Sequence, residues 1–214
     1  MKRTLFFLIA LCLVNLGFAQ EADEDLIPKS VIKFIPFELT ESTFMMEWEK
    51  IQADATQSWS VGLGLTAGTT YDGERSGFKA EVIKRWYLNS LKVIRPASGR
   101  DPFVRGIYGA VFVRGGYVEQ QENYWYYDDF SGNSEERTNT RSGEWLFPGV
   151  MIGAVRSFWD VLQLELYVGA GVRFSNVEDS DPFYDEYYNF IDVYNVGYHG
   201  VAPNIGAKIG IGIH

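Results

Sequence analysis

The chain has 214 residues, 46% of them hydrophobic and 16% aromatic, with 19 Lys and Arg against 28 Asp and Glu and a formal net charge of -9. Such a chain is too apolar for disorder and too acidic for a general nucleic-acid binder, which needs cations to displace phosphate counterions. Its single cysteine, Cys12, excludes a disulfide scaffold and a Cys-ligated zinc site, and beyond residue 20 no uncharged apolar run reaches the roughly 20 residues of a spanning helix.

The N-terminus reads as a secretory leader. Met1-Lys2-Arg3 is a positive start, Leu5 to Val14 is unbroken apolar sequence, and Gly17-Phe18-Ala19 places small residues where a signal peptidase reads. Cleavage of residues 1–19 is expected before Gln20. A lipoprotein leader acylated at Cys12 is disfavoured by the bulk of Leu11 before it. Residues 20–30 then form an acidic stub containing Glu21, Asp23, Glu24 and Asp25.

From residue 31 onward period-two alternation recurs and helical periodicity hardly appears. Strands are predicted at 31–39, a segment with Pro36, and at 43–51, where Phe44, Met46 and Trp48 alternate with Met45, Glu47 and Glu49. The next lie at 57–68, with Trp59, Val61, Leu63 and Leu65 opposite Ser58, Ser60, Gly62 and Gly64, and at 77–87. Segments 103–117 and 144–157 also read as strands, but both of their faces are apolar, so the pattern leaves open which side faces in. Leu162 to Phe174 and Val201 to His214 complete eight, each with one apolar face and one small or polar face. Several exceed the five or six residues usual in soluble sheets.

Connection lengths alternate as well. The two connections longer than 20 residues, 118–143 and 175–200, fall on the same side of an up-and-down path, as expected of extracellular loops in a transmembrane barrel. The connection at 88–102 is the exception, being long for the opposite side. Trp48, Trp59, Trp86, Tyr87, Phe103 and Trp159 fall near one set of strand ends, and Tyr71, Phe78, Tyr117, Trp145 and Phe174 near the other, in the manner of interfacial girdles.

The segments Lys33-Phe34-Ile35-Pro36-Phe37, Phe44 to Lys50, Glu81 to Tyr87 and Gly106-Ile107-Tyr108-Gly109 resemble those of the small eight-stranded outer-membrane β-barrel proteins of Gram-negative bacteria, OmpA/OmpX-like in the broad sense. The resemblance spans about residues 31–214. It implies an all-β, eight-stranded antiparallel up-and-down transmembrane barrel in the outer membrane, and the branch it is most similar to offers no biochemical activity to transfer. One departure is the ending Ile213-His214, where such barrels usually carry a terminal aromatic residue.

An eight-stranded barrel is just wide enough for its inward side chains to fill it. Glu47, Glu49, Lys79, Glu81, Arg85, Glu165, Arg173 and Lys208 are expected inside, with Glu38 and Arg114 joining them. Their signs nearly balance, which predicts a salt-bridged plug; a narrow ion channel lined by the same charges is the alternative. Outside the wall, Tyr124, Trp125, Tyr126 and Tyr127 in the first long loop and Phe183, Tyr184, Tyr187 and Tyr188 in the second sit among acids and are candidate recognition residues. The same segments could instead extend the strands as a β-rich collar. Their partners would be outer-membrane lipid, lipopolysaccharide, a surface ligand or a larger outer-membrane complex.

Catalysis is not expected, nor is a cofactor or a metal site. Glu178-Asp179-Ser180-Asp181 lacks EF-hand spacing. His214 ends the chain, so His199 is the lone candidate base at the outer rim of a lipid A-modifying enzyme or protease, and no His-x-Ser pattern accompanies it. A soluble secreted barrel is a further alternative.

Overall fold

A computed structural model describes residues 27–70, 73–88, 90–94, 103–127, 134–158, 161–179 and 198–214. The expected leader lies outside these residues. Strands β1 (Ser30–Phe34), β2 (Thr43–Ile51), β3 (Gln57–Thr70), β4 (Gly73–Tyr87), β5 (Lys92–Ile94), β6 (Phe103–Tyr127), β7 (Ser134–Phe158), β8 (Leu162–Asp179) and β9 (Gly200–Ile213) follow in order. All pair antiparallel. The ring closes through β1 with β9 and β4 with β6, giving an eight-stranded barrel in which the short β5 lies beside β6.

Alternation explains the wall. Along β2 every odd-numbered residue from Thr43 to Ile51 is buried and every even-numbered one is exposed. Because successive strand residues point to opposite faces, one short-period pattern sends Glu47 and Glu49 inward and Phe44, Met46 and Trp48 outward. The same division holds in β9, where Asn204 and Lys208 are buried while Val201, Ile205, Ile209 and Ile211 are exposed. Burial is thereby inverted relative to a water-soluble domain: ions lie within, and large apolar side chains such as Leu65, at 70% exposure, lie without.

The two ambiguous strands are now assigned. Val104, Tyr108, Ala110, Phe112 and Arg114 of β6 face in, as do Phe147, Met151, Val155 and Ser157 of β7. Their neighbours Ile107, Val111, Val113, Leu146, Val150 and Ile152 face out.

The end of the barrel carrying both terminal strand ends and the β2–β3 and β7–β8 connections is here the base; the opposite end is the rim. At the rim, the expected strand 31–39 stops at Phe34. Proline cannot donate to a ladder, and Pro36 instead opens a 3-10 turn, Pro36–Glu41. That turn is amphipathic: Phe37 and Leu39 are exposed, whereas Glu38 folds into the lumen. At the base, the long 88–102 connection acquires a purpose. Leu91 donates its N–H to the Ala55 carbonyl at 2.9 Å, and Leu91 and Val93 join Val31, Ile51, Ala55, Tyr87 and Val104 in a buried apolar cluster that closes the barrel from below.

The segment 118–143, read as a recognition loop or as a collar that extends the strands, is largely strand. β6 runs on to Tyr127 and β7 starts at Ser134, with continuous pairing from Tyr127↔Ser134 down to Arg105↔Arg156. β8 likewise extends to Asp179. Two girdle assignments change as well. Tyr87 is buried in the lumen, and Trp145 packs inward against the core cluster, because both lie on the inward register of their strands.

Candidate functional site

Inward positions of β1, β2, β4, β6, β8 and β9 bring nine ions into one connected network, which Glu38 of the 3-10 turn makes ten and Glu41 joins at its edge. Lys33, on β1, contacts Glu49 and Glu165 directly and stands 3.8 Å from Glu47. Arg85, on β4, reaches Glu47 at 2.7 Å, Glu165 at 3.3 Å and Glu49 at 3.6 Å. Lys208 joins Glu47 to Glu81, the latter at 3.4 Å. Arg114 carries the chain upward from Glu81 at 2.6 Å to Glu38 at 2.9 Å. Lys79 then ties Glu38, at 2.8 Å, to the half-exposed edge at Glu41.

Each of the five cations faces at least two carboxylates, so removing one leaves several carboxylates with one counter-charge fewer. Neutral hydroxyls add further partners. Tyr87 donates its hydroxyl to Glu49 at 2.9 Å, Ser58 donates to the same carboxylate, Tyr108 donates to Glu165, and Arg85 donates to the Ser60 hydroxyl at 2.7 Å. Charges taken out of water are tolerable only with this degree of pairing and hydrogen bonding.

Aromatic side chains occupy the rest of the lumen. Tyr108 stacks edge-on against Tyr87, with centroids 5.9 Å apart, and Phe112 against Phe147 at 5.2 Å. Glycines on the neighbouring strands make room for them. A Cβ on Gly206 would stand 2.5 Å from the Tyr167 hydroxyl, and one on Gly153 would overlap Tyr108.

Of the residues expected inside, Glu38, Glu47, Glu49, Lys79, Glu81, Arg85, Arg114, Glu165 and Lys208 meet in this network. Arg173 does sit on an inward register of β8, but nearer the rim and half-buried, with its guanidinium 4.9 Å from the Trp145 ring centre. Glu38 arrives from the 3-10 turn and not from a strand. Lys33 was absent from the expected set, although it lies at the hub. The signal that marks it is the alternation Val31, Lys33, Ile35, which Pro36 obscures when 31–39 is read as one strand.

No protein-family model matches the chain. None of the curated proteins matches it either.

At the rim, the backbones of Tyr124, Trp125, Tyr126 and Tyr127 belong to β6 and pair with Arg137, Glu136, Glu135 and Ser134 of β7. Phe183, Tyr184, Tyr187 and Tyr188 lie outside the described residues. His199 is exposed and meets the Phe174 ring edge-to-face at 5.5 Å. Among the described residues, no helix is long and apolar enough to cross a membrane, which says nothing about a barrel, and no three His, Cys, Asp or Glu converge as metal ligands.

Proposed function

We propose that this chain is an exported outer-membrane β-barrel of a Gram-negative bacterium, non-enzymatic, with a lumen plugged by paired charges and a structural or binding role exerted at its rim. The observation that carries this reading is the inverted burial. Val61, Leu63, Val82, Val111, Val150, Val168 and Ile205 form part of an apolar exterior, while Lys33, Glu47, Glu81, Arg85, Glu165 and Lys208 are withdrawn inside. In water that exterior would drive aggregation, whereas in lipid it is the favoured surface, and ring closure gives each of the eight wall strands a neighbour on both sides along at least part of its length.

The network supports a plug over an ion path. A permeant ion would have to displace pairs such as Arg85 with Glu47 and Arg114 with Glu81 in a lumen also filled by Tyr108, Phe112 and Tyr167. The rim partner is proposed to be lipopolysaccharide, a surface ligand or a larger membrane complex, engaged by the aromatic and acidic segments 118–143 and 175–200.

Fractionation tests the membrane reading. The protein is expected in the outer-membrane pellet, released only by detergent, with gel mobility that changes on heating. Recovery as a soluble periplasmic or secreted protein would overturn it. Planar-bilayer recording tests the plug: the wild type is expected to be electrically silent, and steady native conductance would favour the channel.

A further inference from the structure

The upper part of β9 has a strand beside it on one side only. Toward β8 it is paired from Gly200 to Ile211, whereas toward β1 the pairing stops at Phe34↔Ile209. Gly212 donates its N–H to Val161 on the β8 side, so even-numbered residues of β9 turn their backbone groups to β8 and odd-numbered ones to β1. Continuing the β1 register would set Pro36 opposite Ala207, but proline has no N–H and the chain there enters the 3-10 turn. That turn lies between β2 and β9 and bonds locally, Glu38 N–H to the Ile35 carbonyl at 3.3 Å and Ser42 N–H to that of Leu39 at 3.0 Å. Among the described residues, the carbonyls of Pro203, Ile205 and Ala207 and the N–H groups of Ile205 and Ala207 therefore meet no partner on the β1 side. The Val201 carbonyl is the exception, accepting the Tyr198 hydroxyl at 2.6 Å.

This edge runs through the apolar belt. Val201 and Ile205 stand opposite Val172 and Val168 of β8, and all four are exposed. Hydrocarbon offers no hydrogen bonds, so each unmet backbone group at that depth is costly. Apolar side chains flank the edge on its β2 side: Phe37 and Leu39 of the turn are exposed, and the exposed Phe44 packs on Phe34 with ring centres 5.4 Å apart. A partner strand from another molecule is a poor occupant, because Pro203 removes a donor from the middle of the edge. An ester-linked phospholipid is also a poor one, since its linkages accept hydrogen bonds but donate none.

From this juxtaposition we infer that the upper β9 edge is a binding site for a membrane lipid whose acyl chain is amide-linked beside a hydroxyl. The amide N–H and the hydroxyl donate to the carbonyls of residues 203, 205 and 207, the amide carbonyl accepts a backbone N–H, and the chain lies against Phe37, Leu39 and Phe44. The lipid thereby supplies the rungs that β1 lacks once Pro36 has turned it aside. This inference rests on the membrane reading above and gives the rim a lipid partner of defined chemistry.

The test uses sphingomyelin and phosphatidylcholine, which share a headgroup but differ in that sphingomyelin alone carries an amide N–H and a hydroxyl at its linkage. Mature protein is refolded into vesicles holding the two in equal amounts, and retained lipids are counted by native mass spectrometry after detergent release. The wild type is expected to retain sphingomyelin over phosphatidylcholine by about threefold or more, the ratio that a single net hydrogen bond supports. A sphingomyelin bearing a photoactivatable group next to its amide should cross-link within residues 34–44 and 201–207. Phe37→Ala with Phe44→Ala should lose the preference, and Val150→Ala with Ile152→Ala, on the wall strand β7, should keep it. Wild-type protein that inserts without a preference, cross-links confined to other strands, or a lipid-free dimer joined through β9 would overturn the site while leaving membrane residence intact. Failure to insert into the vesicles would overturn both.

Discussion

The two walls of the lumen achieve closure by different chemistry. The wall from β1 to β4 presents Lys33, Glu47, Glu49, Lys79, Glu81 and Arg85, with Ser58 and Ser60 between them. The facing wall, β6 to β9, presents Tyr108, Phe112, Phe147, Met151, Val155 and Tyr167, and sends Arg114, Glu165 and Lys208 into the network. Ions are directional and must be matched partner by partner, whereas rings and aliphatic groups fill space and tolerate exchange at constant volume. The charged wall should therefore be sensitive to chemistry and the aromatic wall to volume.

Substitutions can break or sharpen that contrast, all read as shifts in denaturant midpoint in detergent micelles. The largest effect is expected from Arg85→Leu, which keeps bulk but leaves Glu47, Glu49 and Glu165 sharing Lys33 and Lys208 with one buried positive charge too few; a loss of about 3–5 kcal/mol is expected, as for breaking a buried ion pair from one side. Next is Tyr108→Phe, at the meeting of the walls, where only the hydroxyl donated to Glu165 disappears; about 1.5–3 kcal/mol is expected for a bond to a charged acceptor. On the aromatic wall, Gly153→Val drives a side chain into Tyr108 and should cost about 1–3 kcal/mol by overpacking, while the space-preserving Met151→Leu should cost less than about 1.5 kcal/mol. If Met151→Leu were as damaging as Arg85→Leu, the distinction between the walls would fail.

The smallest effect lies outside both walls, in the β2–β3 turn. The Asp54 carboxylate accepts the Thr56 hydroxyl at 2.7 Å and the Thr56 N–H at 3.1 Å, which holds its pKa below the ordinary aspartate value. A carboxyl group depressed on folding contributes above its unfolded pKa and loses that contribution as pH falls through the folded one. Asp54→Ala is therefore expected to be slightly less stable than wild type at neutral pH and indistinguishable from it in strong acid.

The same contrast explains what could be read from the sequence. On β2, β3 and β9 a polar or small inner face opposes an apolar outer one, and alternation alone identifies both the strand and its sides. On β6 and β7 the inner face is itself aromatic and aliphatic, so period two no longer separates inside from outside. Past 117 the sequence leaves loop and strand-extending collar both open for a related reason: its polar and aromatic residues resemble loop composition as much as strand. β5 has three residues, too few for a period, and Lys33 was masked by reading through Pro36. Glu38 is expected inside, but it reaches the lumen from the 3-10 turn that Pro36 opens and not from the strand.

The early end of β1 has a mechanical consequence. β9 pairs with β8 from Gly200 to Ile211, but with β1 only from Ile209 to Ile213, so the join between first and last strands is a ladder of five positions. Above it, Pro203 occupies a stretch of β9 where a missing N–H on the β1 side interrupts no ladder. Under load or heat the hoop should part at this seam, peeling upward from the five-rung join, with Lys33 gripping Glu165 of β8 as the rivet that yields last. Amide hydrogens along that join would then exchange ahead of those between β6 and β7, the longest-paired strands in the wall.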